Sequence, residues 1–381
     1  FNVRRARAEF SGQLLQHFNY YMGGEFGTIP GGAQYGTFTD VFINVDYTPW
    51  ANLQIGQFDA PFTLESRTSD KYFDFLERSV AVRGVGVPLN KELGAMLWGL
   101  APRKYLYYSV GVFNGDGIDV KDIDNHFDVM GRAYLAPLAF LRARETTRWL
   151  TEIWLGGSAW YSTHVLSPFL MPAVTTQGGF TLLPGSFAAN ALNLGYNGDA
   201  FKWAVELNAP IGPFGLRFEL VRIDHEGLGL YDKPLTQADR RPVAQLSRSA
   251  TAFYVQAWYW IVGDYRMIPA PGQELPRKWA GYKPELGRWQ LGLNVTAKYE
   301  HMQLNIAQDD SATLTDAQGA VLGGMTLDVA EVGANLWLSR HLRAQANYVM
   351  NYLSGDMKLA QSNPCFRTAE HELLLRMAVG L

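Results

Sequence analysis

The chain has 381 residues, with 33 Lys and Arg against 36 Asp and Glu, for a formal net charge of −3. That balance excludes a nucleic-acid binder, which needs a basic face. The single cysteine, Cys365 in the polar loop Gln361–Arg367, excludes an intrachain disulfide. No apolar stretch reaches the roughly 18 residues of a membrane-spanning helix. Aromatics reach 13%, including 11 Trp and 19 Tyr, and glycines number 38, more of both than a soluble enzyme needs. No linker or shift of composition divides the chain, so residues 1–381 read as one domain.

A period-2 alternation that returns about every twelve residues takes the place of long apolar runs. In Gln290–Glu300, the residues Gln290, Gly292, Asn294, Thr296, Lys298 and Glu300 make one polar set. Leu291, Leu293, Val295, Ala297 and Tyr299 make an apolar one. Successive strand side chains point to opposite faces, so such a strand has one wet face and one apolar face. Repeated along the chain, the pattern describes an all-β protein, a transmembrane antiparallel β-barrel with a polar lumen.

In chain order the predicted strands are 2–12, 16–26, 38–48, 51–58, 92–100, 105–113, 126–137, 149–163, 198–209, 214–225, 250–262, 287–304, 326–338, 341–352 and 370–381, about fifteen in all. Short connections (Ser11–Leu15, Thr48–Ala51, Ala101–Lys104, Pro210–Pro213, Ser339–His341) alternate with long ones (Asp59–Lys91, Asn114–Asn125, His164–Ala191, Glu226–Ser249, Asn305–Met325, Ser354–Ala369). Barrels of this kind have short periplasmic turns and long extracellular loops, which orients every strand. The first and last predicted strands both run inward. Because single-chain bacterial barrels carry even strand numbers, the expectation is about 16 strands, with the first missing before Phe1. Gly263–Glu285 and Leu138–Thr147 depart from the pattern by being long where a short turn belongs. The first, with Pro269, Pro271, Pro276 and Pro284, is expected either to fold up into the lumen or to remain a surface loop.

The loop Asp59–Lys91 carries Arg67, Lys71, Arg78, Arg83 and Lys91 beside acids and the aromatic cluster Tyr72, Phe73 and Phe75. A loop this long is expected to be functional, here as a constriction folded into the lumen; the alternative is a loop stacked outside on a neighbouring subunit. Ser69–Ser79 has a helical spacing, with Ser69 as cap. The alternation turns strand charges inward, where they avoid the cost of facing lipid: Arg5, Arg7 and Glu9; Asp128 and Arg132; Lys202 and Glu206; Arg217 and Glu219; Lys298 and Glu300; Arg343; Glu370, Glu372 and Arg376. Two readings stand for each: an ion pair stiffening the wall, or a charge lining the ion path. Rings of Arg or Lys suit anion pores, and the guanidinium fork matches phosphate oxygens. The candidate pore set is Arg5, Arg7, Arg67, Lys71, Arg78, Arg83, Arg217, Lys298 and Arg376.

Enzyme signatures are thin. The seven His are scattered, and no His or Cys cluster suggests a metal. Asp116–Asp124 lacks the calcium-loop pattern, Gly84-Val85-Gly86 is too short to mark a nucleotide site, and no G-x-S-x-G is present.

Several stretches, in order along the chain, resemble the phosphate-selective porin O and P family of Gram-negative outer-membrane channels. They are Phe1-Asn2-Val3-Arg4-Arg5-Ala6-Arg7, Leu53 to Phe62 (L-Q-I-G-Q-F-D-A-P-F), Thr68-Ser69 through Phe75-Leu76-Glu77-Arg78-Ser79, Gly111-Val112-Phe113-Asn114-Gly115 and Gly263-Asp264-Tyr265-Arg266. The resemblance implies a 16-stranded trimeric barrel in the outer membrane, constricted by the loop after Gly56-Gln57-Phe58, with the segment after Tyr265-Arg266 folding inward. The resulting expectation is a passive diffusion channel for small hydrophilic solutes with an anion or phosphate preference. Such a channel has no cofactor, no nucleic-acid partner, a homotrimeric state, and outer-membrane lipid and lipopolysaccharide around it. The alternative is a structural or assembly component of an envelope complex, its barrel plugged by long loops.

Overall fold

The computed structural model describes residues 3, 5–27, 36–86, 91–101, 105–115, 117–118, 125–141, 145–164, 174–183, 186–187, 192–195, 197–231, 242–263, 291–339 and 342–379. Eight long strands precede residue 165: β1 (Arg7–Leu14), β2 (Phe18–Glu25), β3 (Thr37–Thr48), β4 (Ala51–Asp59), β5 (Lys91–Leu100), β6 (Leu106–Phe113), β7 (Asp128–Leu135) and β8 (Trp154–His164). Seven follow: β9 (Gly198–Ile211), β10 (Phe214–Tyr231), β11 (Ala244–Val262), β12 (Gly292–Gln308), β13 (Gly323–Ser339), β14 (Leu342–Gly355) and β15 (Ala369–Val379). Each pairs antiparallel with the next along the chain. All fifteen predicted strands are present, and this is a transmembrane antiparallel β-barrel with loops folded into its lumen.

The strands are unequal. β1 and β2 have 8 residues each, whereas β10 to β13 have 17 to 19. At about 3.3 Å per residue and a tilt near 40°, a 17-residue strand rises about 43 Å, well beyond an apolar band about 25 Å tall. The surplus lies on the extracellular side, and the outward side chains mark where it begins. On β9 the last apolar outward residue is Phe201, followed by Asp199; on β10 Leu220 gives way to Arg222. On β11 Phe253 gives way to Thr251, on β12 Tyr299 to His301, on β13 Ala330 to Asp328 and on β15 Leu373 to His371. Phe201 lies opposite Asp224, while His371 lies opposite Met350. The boundary therefore steps down across the ladder rows, as strands tilted to a flat membrane require.

Above that boundary the inner face also changes character. Val221, Ile223, Leu246, Met302, Leu304, Ile306, Leu327 and Val329 point inward and are buried, where a polar lumen was expected. Protein packs against the inner face of the wall at this level. Phe62, Leu64, Val80, Ala81 and Val85 of the loop after β4 pack against these residues, as do Val174, Leu182, Val321 and Met357 from extracellular segments. Each apolar side chain so buried contributes about 1.5–3 kcal/mol relative to exposure.

Local structure departs from expectation in three places. Ser69–Ser79 is not a helix: a 3-10 turn covers Asp70–Tyr72 without a Ser69 side-chain cap, and a π-helical turn follows at Ala81–Gly86. Loop side chains there bond to the barrel wall and displace the regular pattern. Glu145–Glu152 is a 3-10 helix where β8 was expected to begin. Short strands at Val174–Thr175 and Thr181–Leu183 pair as a hairpin within the predicted loop 164–191. The Pro-rich segment and most of Asp116–Asp124 lie outside the described residues.

The polarity boundary gives a direct test. Val332→Arg, on the outward apolar face of β13, is expected to lower stability by about 2–4 kcal/mol. Gln303→Arg, outward on β12 beyond the boundary, is expected to cost under about 1 kcal/mol. Equilibrium unfolding in urea from lipid bilayers measures both.

Candidate functional site: the loop inside the barrel

The loop between β4 and β5 enters the lumen over a closed base. Lys91 Nζ bridges Asp59 and Asp40 at 2.7 and 2.8 Å. Arg67 donates to the Asp59 carbonyl and is buried there. From that base the loop crosses the lumen, and its backbone finds partners on the wall. The Thr63 N–H donates to Ser158 Oγ on β8 at 3.2 Å. The Leu64 and Glu65 N–H groups donate to the Glu219 carboxylate on β10 at 2.5 and 3.1 Å. Glu65 in turn accepts from Ser79 N–H and Oγ. The Val80 N–H donates to Glu300 on β12 at 2.5 Å, and Lys202 Nζ on β9 donates to the Gly86 carbonyl at 3.1 Å. An unpaired buried backbone group costs about 1–3 kcal/mol, so these contacts determine where the loop lies.

Two aspartates anchor the middle of the loop. Asp74 is held by neutral amides. Gln256 Nε2 and Asn294 Nδ2 donate to its carboxylate at 2.6 and 3.2 Å, and Asn335 Nδ2 donates to its carbonyl at 3.0 Å. Arg343 and Gln345 donate to the Phe73 carbonyl at 2.8 and 2.9 Å. Arg217 stands 3.7 Å from Asp74, with its guanidinium over the Trp258 ring. Strands β10 to β14 thus all reach residues 73 and 74.

Asp70 is held by arginines. Arg7 Nη2 reaches its carboxylate at 2.8 Å, Arg78 Nη2 at 2.9 Å and Arg5 Nε at 3.4 Å. Arg376 Nη2 on β15 donates to its carbonyl at 3.3 Å. Arg5 also pairs with Glu77 at 3.1 Å, and Arg7 with Glu25 at 2.6 Å. Burial alone would raise the Asp70 carboxyl, but the charges of Arg78, Arg5, Arg7 and Arg376 override it and hold that carboxyl well below the usual range. These arginines keep some contact with water: the side chains of Arg5 and Arg7 are 28% and 27% exposed and that of Arg78 16%.

The structure therefore gathers Arg5, Arg7, Arg78 and Arg376 of the sequence-derived set at one place. The others lie elsewhere. Arg67 closes the loop base, and Arg83 donates to the Arg78 and Thr175 carbonyls. Arg217 serves the Asp74 clamp. Lys298 is fully buried between Glu300 and Glu331 at 2.6 and 3.2 Å, with Phe75 beside it. Arg132 pairs with Glu206 through two bonds at 3.0 and 2.6 Å, both side chains sealed from water. The Lys71 side chain lies outside what the structure describes. The amides of the Asp74 clamp escaped sequence reasoning, which weighed charges. Their signal was present as Gln256, Asn294, Asn335 and Gln345 at inward-facing positions of consecutive strands.

The Asp70 anchor has a pH signature. A carboxyl with a depressed folded value stabilises the fold above its unfolded value, about pH 4, and that contribution is lost as pH falls toward the folded value. Acid unfolding of the wild type is therefore expected to steepen below about pH 4. Asp70→Asn is expected to be less stable at neutral pH and to show a flatter acid limb. Thermal midpoints across a pH series read both.

The profile of the phosphate-selective porin O and P family matches residues 1–138 and 187–362. Among solved structures, the chain is similar to the outer membrane channel DcaP of Acinetobacter baumannii. Identity there is 10%, coverage 99% of this chain and 85% of that one, and the TM-score 0.51. It is also similar to the anion-selective porin from Comamonas acidovorans (9% identity, 93% and 80% coverage, TM-score 0.48). A third likeness is to trimeric OmpT of Vibrio cholerae (12% identity, 93% and 82% coverage, TM-score 0.46). At such identities the likeness shows the fold alone. No curated protein matches the chain.

Proposed function

We propose that this chain, which belongs to the phosphate-selective porin O and P family and is an integral β-barrel of the Gram-negative outer membrane, passes small hydrophilic anions by diffusion past the arginines gathered at Asp70. The convergence of Arg5, Arg7, Arg78 and Arg376 carries this reading. Among the described residues, these guanidinium groups meet the carboxylates of Asp70, Glu77 and Glu25. Guanidinium groups gathered there and partly open to water favour anions in transit. Guanidinium edges suit phosphate oxygens, while the resident carboxylates keep binding loose enough for release. The loop sets the size limit. The channel needs no cofactor and works as a homotrimer.

A second reading is a plugged barrel serving an envelope complex. It is favoured by the apolar filling of the extracellular half, where Val80, Ala81 and Val85 meet Met302, Leu304 and Val329.

Reversal potentials in a KCl gradient across planar bilayers separate the two. The wild type is expected to favour chloride and to be blocked by phosphate. Arg7→Ser with Arg376→Ser is expected to raise the half-blocking phosphate concentration about tenfold, a change of about 1.4 kcal/mol, and to move the reversal potential toward cation preference. Arg222→Gln, on the outer face of β10 and away from the lumen, is expected to leave both unchanged. Folded protein without conductance would sink the channel reading and promote the plugged barrel.

A further inference from the structure

On the outer face of the barrel, away from the lumen, the polarity boundary carries an ordered group of side chains. The ladder places Phe253, His301 and Asp328 side by side on β11, β12 and β13. Tyr299 lies one step toward the membrane, and Gln303 and Thr326 lie one step beyond. The Phe253 ring centroid is 5.5 Å from that of His301 and 6.1 Å from that of Tyr299. Tyr299 Oη donates to Asp328 Oδ1 at 2.6 Å, and His301 Nδ1 lies 2.8 Å from the same oxygen. Tyr299 is still 45% exposed. The result is an aromatic ledge with a fixed carboxylate, overhung by an amide and a hydroxyl, at the height where headgroups meet the wall.

Charge narrows what the ledge can receive. The neighbouring outward cation, Arg222, closes on Asp224 through two bonds at 2.6 and 2.8 Å. Its guanidinium is therefore already matched, and the Asp328 carboxylate repels a phosphate. A neutral ligand rich in hydroxyls fits instead: its C–H face can lie on the exposed rings, while its hydroxyls can donate to Asp328 and pair with Gln303 and Thr326. Position supplies the rest, because the ledge faces the headgroup layer of the outer leaflet and not bulk water. We infer that this ledge docks the neutral sugar headgroup of an outer-leaflet glycolipid.

Native mass spectrometry of the intact chain in phosphatidylcholine nanodiscs tests this. Digalactosyldiacylglycerol is added to one sample and phosphatidylglycerol to another. The galactolipid is expected to be retained about fivefold over phosphatidylcholine, a preference of about 1 kcal/mol. Asp328→Asn combined with Gln303→Ala is expected to bring that ratio to one, with conductance and ion selectivity unchanged as the check on folding. The ledge lies outside the lumen, so the outcome is independent of the anion reading. A preference for phosphatidylglycerol, or an unaltered galactolipid ratio in the variant, overturns the inference. Loss of oligomer mass in the variant without any sugar preference assigns the face to a second copy of the chain and overturns it as well.

Discussion

A peptide segment inside a barrel must find hydrogen bonds for its backbone without the help of bulk water. The wall here supplies them. Glu219 and Glu300 accept from the N–H groups of Leu64, Glu65 and Val80, and Lys202 donates to the Gly86 carbonyl. Arg343, Gln345 and Asn335 donate to the carbonyls of Phe73 and Asp74. Bonds to charged groups contribute about 1.5–3 kcal/mol each, against about 1 kcal/mol for neutral ones. The loop is thereby held at many points on many strands and at no single dominant one. A loop so tied takes its shape from the wall, which is why the helical spacing of Ser69–Ser79 does not yield a helix.

The same accounting separates charge sealed in the wall from charge that keeps contact with water. Lys298, Glu300 and Glu331 are sealed from water, and so is the pair of Arg132 with Glu206. Removing one partner of such a pair strands the other and costs about 3–5 kcal/mol, yet the pair projects little field into the lumen. The Asp70 group differs in both respects. It joins β1, β15 and the loop, it gathers several arginines around one carboxylate, and it keeps contact with water. Inward-pointing charge is thus a poor guide to the ion path unless burial is known.

That distinction also sets how much was legible in the sequence. Alternation located all fifteen strands, because the contrast between lipid and interior acts on every second residue. Arg5, Arg7 and Arg376 read as inward for the same reason. Their meeting at Asp70 was not legible, since it depends on a loop tip bridging β1 and β15, and such pairings leave no local pattern. Gln256, Asn294, Asn335 and Gln345 were passed over because neutral amides look like ordinary polar lumen residues. Only the loop that they grip gives them a shared role. The ends of β10 to β13 were set too short for a related reason. Past Arg222 and His301 the outward residues become polar, and a reading tuned to apolar-outside stops a few residues later, at 225 and 304 rather than at Tyr231 and Gln308.

Alternation, however, continues through that point with its sense reversed. On β12, Lys298 and Glu300 face in and Tyr299 faces out, while two residues later Met302 and Leu304 face in and Gln303 faces out. Period 2 reports that the two faces of a strand differ, not which face meets water. The reversal is itself information. Within the apolar band, an inward polar set opposite an outward apolar set describes a lumen inside a membrane. Beyond the band, inward apolar residues require something apolar to cover them, because outward polar residues already account for the water. A strand that inverts its polarity without a break in period therefore signals two facts at once: it has left the membrane, and protein packs against its inner face at that height. Val80, Ala81 and Val85 from the loop, with Val174 and Met357 from the extracellular side, are the filling that this inversion demands.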